Sequence, residues 1–418
     1  MTLRVAAVCG CIALFAAWAG AAEFRFPMPE FSSGYERPAM HTPPPALIPL
    51  GVDLALFAGT LAVTGYAVLR RRSRGMVLAV AVFSVAYFGF YRKGCVCSVG
   101  SIQNVLNAFI GDGAPVPLVV AVFFALPVLV ALYFGRIFCA AVCPLGAVQE
   151  LCAVRPAQVP RPVETVLGTL AHAYLGITVV GIVTGSGFLV CRYDPFIGFF
   201  RQGGSFNMLM AGGILLVLGA VIARPYCRFL CPYGVLLRWA SLFSRWHASI
   251  TPAACIQCRL CETACPYNAI EAPAPETVTE TRRAGKRRVA AVLLAAPAAV
   301  LVAALAGMMA HGYLARLHPT VWLAERVAAE NRGQVFESSI ETDAFRASLK
   351  PEQELYAEAE AVRARFRTAS AGFGAFLGLV FCARVLRMSV VRKSRDYAAD
   401  RGACLSCARC FAYCPVEK

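Results

Sequence analysis

Charge is scarce in this chain: Asp, Glu, Lys and Arg make up 15% of 418 residues, too few to coat a soluble protein of this size. Histidine is scarcer still, with five copies, and no repeated pair marks bis-histidine ligation, so haem is not expected. His172 and His311 alone fall within or at the end of an apolar segment, where an embedded histidine is either a satisfied interior residue or a quinol contact. There is no G-x-G-x-x-G dinucleotide turn, phosphate-binding loop or nucleophile elbow, which leaves hydrolysis and phosphoryl transfer without support. The apolar segments also lack paired carboxylates, against the expectation for an ion-coupled transporter.

What is abundant is apolar surface. With 58% hydrophobic residues and a mean hydropathy of +0.62, the sequence reads as an all-α polytopic membrane protein. Residues 1–22 have the layout of a secretory signal, with Arg4 ahead of an apolar stretch and small residues at its end. A Pro-rich outer segment, 23–47, follows. Seven mature spans are expected near 48–69, 75–91, 116–134, 166–190, 205–222, 289–311 and 370–390. Arg70, Arg71, Arg72 and Arg74 fix the far end of the first span in the cytoplasm. The inner segments 70–74, 135–162, 222–288 and 384–418 then hold four, three, ten and eight Lys and Arg, against two in each of 23–47, 91–114 and 191–203. This asymmetry, not a nucleic-acid partner, accounts for the net charge of +16, and it places the protein in a bacterial inner membrane with lipid as its main surroundings. The loop 312–369 is outside, with an exposed connector helix expected over about 351–367.

Nineteen cysteines carry the chemistry. Cys255-x2-Cys258-x2-Cys261-x3-Cys265-Pro266 is the bacterial ferredoxin ligand run, and it returns as Cys404, Cys407, Cys410, Cys414 and Pro415. A zinc site closes with four tetrahedral ligands and does not explain a doubled, Pro-terminated run. In two-cluster ferredoxins the fourth cysteine of each run ligates the other cluster. Two [4Fe-4S] clusters are therefore expected, one on Cys255, Cys258, Cys261 and Cys414, the other on Cys404, Cys407, Cys410 and Cys265. Two independent four-cysteine clusters are the alternative. The crossed arrangement needs halves 251–281 and 399–418 to meet across the membrane hairpin 282–398, as one split α+β ferredoxin-like domain on the cytoplasmic side. Arg259 and Arg409 lie within the runs, where positive charge favours a reduced cluster unless they are merely solvated.

The core 48–250 carries two C-x3-C-P motifs, Cys139/Cys143 and Cys227/Cys231, within a weak repeat. Gly135-Arg-Ile-Phe-Cys resembles Ala223-Arg-Pro-Tyr-Cys, 88 residues later. On the outer side, Cys97-Ser-Val-Gly100 and Asp194-Pro-Phe-Ile-Gly198 look like degraded partners. An i, i+4 spacing puts each thiol pair on one helix face, with the proline as a break, and suits redox thiols, a metal site or simple packing. Cys95, Cys97 and Cys191 are candidates for an outer disulfide. Cys152 and Cys382 read as packing residues, and Cys9 and Cys11 leave with the signal.

From residue 75 to 418 these spans, C-x3-C-P motifs and ferredoxin runs resemble the NapH/NosR-like family of membrane iron–sulfur proteins. The resemblance implies cluster ligation by the eight ferredoxin cysteines and a redox-linked role for Cys139, Cys143, Cys227 and Cys231. It further implies electron transfer between a quinol or redox partner protein and a respiratory reductase, or a part in maturing one. The outer N-terminal segment is too short for the flavin domain of full NosR proteins, so no flavin is expected. A redox-sensing or maturation factor is the alternative function.

Overall fold

The computed structural model describes residues 50–94, 98–111, 116–154, 156–250, 255–273, 281–390 and 397–415. The expected signal 1–22, the expected outer segment 23–47, and Cys95 and Cys97 lie outside them. So does the expected disulfide, of which Cys191 alone is described, as an exposed, unbridged residue.

Among the described residues, five helices are long and apolar enough to cross a membrane, over Gly51–Leu69, Arg74–Tyr91, Arg161–Val183, Arg283–Met309 and Glu352–Ser389. In chain order, α1 is Leu50–Leu69. α2, Arg74–Ser84, runs on as a π-helical stretch through Tyr91. α3 is Ser98–Ile110, and α4 is Leu118–Phe134. A π turn, Phe138–Val142, leads into α5, Pro144–Cys152, and α6 is Arg161–Val183. After the short α7, Leu189–Tyr193, and α8, Pro195–Arg201, come α9, Phe206–Val221, α10, Pro225–Phe229, and α11, Pro232–Ser241. The apolar helices α4 and α9 have 17 and 16 residues, reaching about 25 Å at 1.5 Å per residue.

The chain then leaves the bundle as a small domain, α12, Leu260–Ala264, and β1, Ile270–Glu271. It returns through α13, Arg282–Met309, and a cap of α14, His311–Ala315, α15, Pro319–Asn331, and α16, Ile340–Ala347. α17, Glu352–Ser389, leads back to β2, Ala398–Ala399, and α18, Arg409–Tyr413. β1 and β2 pair antiparallel, Ile270 opposite Ala399, which brings the two halves together.

The connector helix expected over 351–367 is not separate from the last span: both are one 38-residue helix. Arg367-Thr-Ala-Ser-Ala371 contains no glycine or proline to end it. Nor is its first part merely solvated. Leu355, Ala359 and Phe366 form a core with Val180, Val321, Ala324, Val327 and Phe345.

α13 and α17 pack backbone to backbone. A Cβ on Gly307 would overlap the Ser370 carbonyl oxygen, and one on Gly374 the Ala303 carbonyl oxygen, while one on Gly378 would sit 3.0 Å from the Val300 Cα. Small residues at four-residue spacing permit this approach. Gly374→Leu is expected to force the hairpin apart, costing about 2 kcal/mol or more, and to loosen the C-terminal half that α17 delivers. A lower thermal aggregation temperature in detergent, with faster iron loss, checks this.

Candidate metal centre

The two ferredoxin-type loops have the same backbone. Gln257 and Arg259 in the first, and Ser406 and Ala408 in the second, hold positive φ between 52° and 64°. These left-handed residues curl each C-x2-C-x2-C run inward so that amides face sulfur, as where the Ser406 amide donates to Cys404 Sγ at 3.4 Å. Each run ends in a one-turn helix, α12 or α18, and a proline after its fourth cysteine.

Two cavities lie between the halves. One is lined by Cys404, Cys407, Cys410 and Cys265, with Tyr267, Leu405 and Phe411 among its walls. The other is lined by Cys255, Cys258, Cys261 and Cys414, with Ile250 and Tyr397. Each cavity thus takes three cysteines from one run and the last cysteine of the other. Among the described residues no three His, Cys, Asp or Glu side chains lie close enough to hold a single metal ion. Thiols spread around a space suit a cube in which each sulfur binds its own iron, so the donor set fits [4Fe-4S]. Burial pushes the Cys404 thiol up to about 12, so it serves as a thiolate only when a metal takes the place of its proton.

The domain is seated on the bundle by one buried carboxylate that sequence reasoning missed. Glu150, near the end of α5, is 3% exposed. Its Oε1 accepts from Arg74 Nη2 at 2.9 Å and from Arg409 Nε and Nη2 at 2.9 and 2.8 Å. Its Oε2 accepts from Arg224 Nε and the Tyr267 hydroxyl, both at 2.8 Å. Arg74 also donates to the Cys407 carbonyl at 3.1 Å. A lone acidic residue seven positions after Cys143, in a segment otherwise basic, was the available signal. Arg409 is not a solvated charge but a buried arm of this network, whereas Arg259 is 71% exposed beside Glu262. A second contact set holds the first half, where Gln158 donates to the Glu262 and Cys265 carbonyls and Asn268 to Glu164.

The C-x3-C-P motifs do not lie on straight helix faces. In each, the second cysteine's amide reaches back five residues, Cys143 to the Phe138 carbonyl at 3.0 Å and Cys231 to the Tyr226 carbonyl at 2.9 Å. The proline starts the next helix, since Cys143 caps α5 and Cys231 caps α11. The motif is a junction between helices, with the break falling at the second cysteine. All four thiols are buried at 7–8% exposure. Of the remaining expected sites, Cys152 is buried and Cys382 half-buried. The His172 ring bonds the Gly168 carbonyl one turn back at 2.9 Å, and the His311 ring, at the start of α14, bonds the Met308 carbonyl near the end of α13 at 2.7 Å.

Residues 116–161 and 205–250 each match a family described as a 4Fe-4S binding domain, and 247–270 match a second family of that description. An uncharacterised protein of Methanocaldococcus jannaschii is 28% identical over 43% of this chain and 76% of its own length. YccM of Escherichia coli, a candidate electron transport protein by name, is 25% identical over 33% of this chain and 43% of its own. The regulatory protein NosR of Stutzerimonas stutzeri is 28% identical over 45% of this chain, which spans 28% of NosR. No solved structure matches.

Burial alone would raise the Glu150 pKa, but Arg224, Arg409 and Arg74 outweigh it and hold the carboxyl well below its usual 4.5. A depressed folded value means its stabilisation is complete above about pH 5 and shrinks as pH falls below 4.5. Glu150→Gln, which strands three guanidinium groups, is expected to cost about 3 kcal/mol or more at neutral pH. The stability gap to wild type should narrow on acidification, as read by unfolding temperature against pH.

Proposed function

Because the chain belongs to the NapH/NosR-like 4Fe-4S membrane proteins, we propose that it carries electrons between the quinol pool or a redox protein and a respiratory reductase system. Its two clusters sit on the cytoplasmic face of a bacterial inner membrane. The observation that carries this reading is the pair of cavities, each gathering four cysteines from both runs. When bound, [4Fe-4S] clusters take up and release single electrons.

The rest is the work of the polypeptide. Cys255, Cys258, Cys261 and Cys414 hold one cluster, and Cys404, Cys407, Cys410 and Cys265 the other. The second is the inner of the two: its walls include Tyr267 and Arg409, both bonded to Glu150 in the helical core. The first is the outer, because Cys258 is exposed and Ile256, Leu260 and Tyr413 beside it are 66%, 45% and 60% exposed. That apolar rim is where a redox partner docks. α4 and α9 complete seven spans with the five longer helices. The basic segments 70–74, 135–162, 222–288 and 384–418 meet at one end of the bundle, through Arg74, Glu150, Arg224 and Arg409, as a common cytoplasmic face requires.

Anaerobically reduced protein is expected to show two interacting [4Fe-4S] EPR signals that reoxidise rapidly with a quinone analogue. Cys258→Ala and Cys414→Ala should abolish one signal, and Cys407→Ala and Cys265→Ala the other. Loss of the same signal from Cys258→Ala and Cys265→Ala would instead mean uncrossed clusters, and signals inert to quinone would favour a sensing or maturation role.

A further inference from the structure

Four of the cysteines that the ferredoxin-type loops do not use belong to the internal repeat, whose two halves meet. A Cβ on Gly146, three residues after Cys143 in the first half, would stand 3.6 Å from Cys227 Sγ in the second, and Cys231 is within electrostatic range of Cys227, Cys143 and Cys139. Tyr233, two residues after Cys231, packs edge-on against the Phe138 ring of the first half, next to Cys139, at 5.9 Å between centroids. The two repeats meet reciprocally. Arg136 of the first reaches Gly234 of the second, where a Cβ would stand 3.3 Å from Nη2, and Arg224 reaches Gly146, where the distance to Nη1 would be 3.5 Å.

The surroundings are those of bound anionic sulfur. Gln149 Nε2 is 3.4 Å from Cys227 Sγ, the Gly234 amide donates to Cys231 Sγ at 3.3 Å, and Arg136 Nη2 approaches Cys139 Sγ at 3.9 Å. Cys143 and Cys231 also stand at the N-termini of α5 and α11, of nine and ten residues, where the helix dipole favours negative charge. Packing cysteines act as small hydrophobes and need none of these donors. Each repeat matches a 4Fe-4S binding domain separately, yet each brings only two of these cysteines. A four-ligand cluster therefore has to draw on both.

We propose that Cys139, Cys143, Cys227 and Cys231 hold a third iron–sulfur cluster, shared between the two halves of the repeat. It neighbours the inner ferredoxin-type site. Arg136 Nη1 donates to the Gly402 carbonyl at 3.3 Å, two residues before Cys404. Arg224 joins the Cys139 and Ala140 carbonyls to Glu150, and hence to Arg409, next to Cys410. The third cluster is thereby the membrane-side member of a row of three.

The site stands on its own four thiols, so it can fail or hold independently of the ferredoxin-type reading. Anaerobically purified full-length protein is expected to contain about twelve iron and twelve labile sulfide. In Cys143→Ala/Cys231→Ala the count should fall to about eight while the interacting EPR pair persists. In Cys265→Ala/Cys414→Ala the EPR pair should go and about four iron remain. A wild-type count near eight overturns the proposal even if the first variant does not fold, as does a count near twelve that the first variant leaves unchanged. Failure of the ferredoxin-type reading would appear separately, as an iron content that the second variant does not lower.

Discussion

One buried carboxylate ties both halves of the iron–sulfur domain to the membrane bundle. Glu150 is a single negative charge facing Arg74, Arg224 and Arg409, with the Tyr267 hydroxyl as a further donor. These groups come from five parts of the chain that are far apart in sequence: the entry to α2, the end of α5, the turn before α10, the first ferredoxin half and the second. Breaking a buried ion pair exposes the full desolvation penalty of the charges left behind, so the network is stable only when all its parts are docked. It therefore specifies the docked geometry more than it stabilises the fold. The positive excess it leaves lies beside cavities whose cysteine thiolates, once ligated, are negative.

The repeat explains why the bundle offers such a seat. Arg136 and Arg224 occupy equivalent positions, 88 residues apart, but their partners have diverged. Arg224 turns to Glu150, whereas the position matching Glu150 in the second repeat is Arg238, and Arg136 reaches out to the Gly402 carbonyl. The first repeat thus meets the second ferredoxin half twice, through Arg136 and Glu150, and the first half once, through Tyr267, so the two loops are held unequally. The loops share their left-handed residues and differ in exposure: Cys407 is buried and Cys258 open. An inner and an outer position follow from the same asymmetry.

Much of this was legible in the amino-acid order. Hydropathy located the apolar helices because lipid demands about 20 consecutive apolar residues whatever the fold. Ligand runs were visible because a cubane constrains cysteines within a dozen residues of each other. The doubled C-x3-C-P motif announced a repeat for the same local reason. What depended on distant partners was not legible. α17 continues from the cap into the membrane because nothing in its sequence breaks it and because Phe366 finds a core to enter. Arg409 looked like a surface charge until Glu150 was placed opposite it.

The sequence by itself determined the helical membrane class and the two cysteine runs with their spacing, since each rests on composition or short-range spacing. Tertiary structure alone decided the role of Glu150, the unequal burial of the two cysteine cavities and the meeting of Cys139 and Cys143 with Cys227 and Cys231. Those depend on how helices separated by tens of residues pack. The charge and burial of a side chain there are set by neighbours that no local pattern specifies.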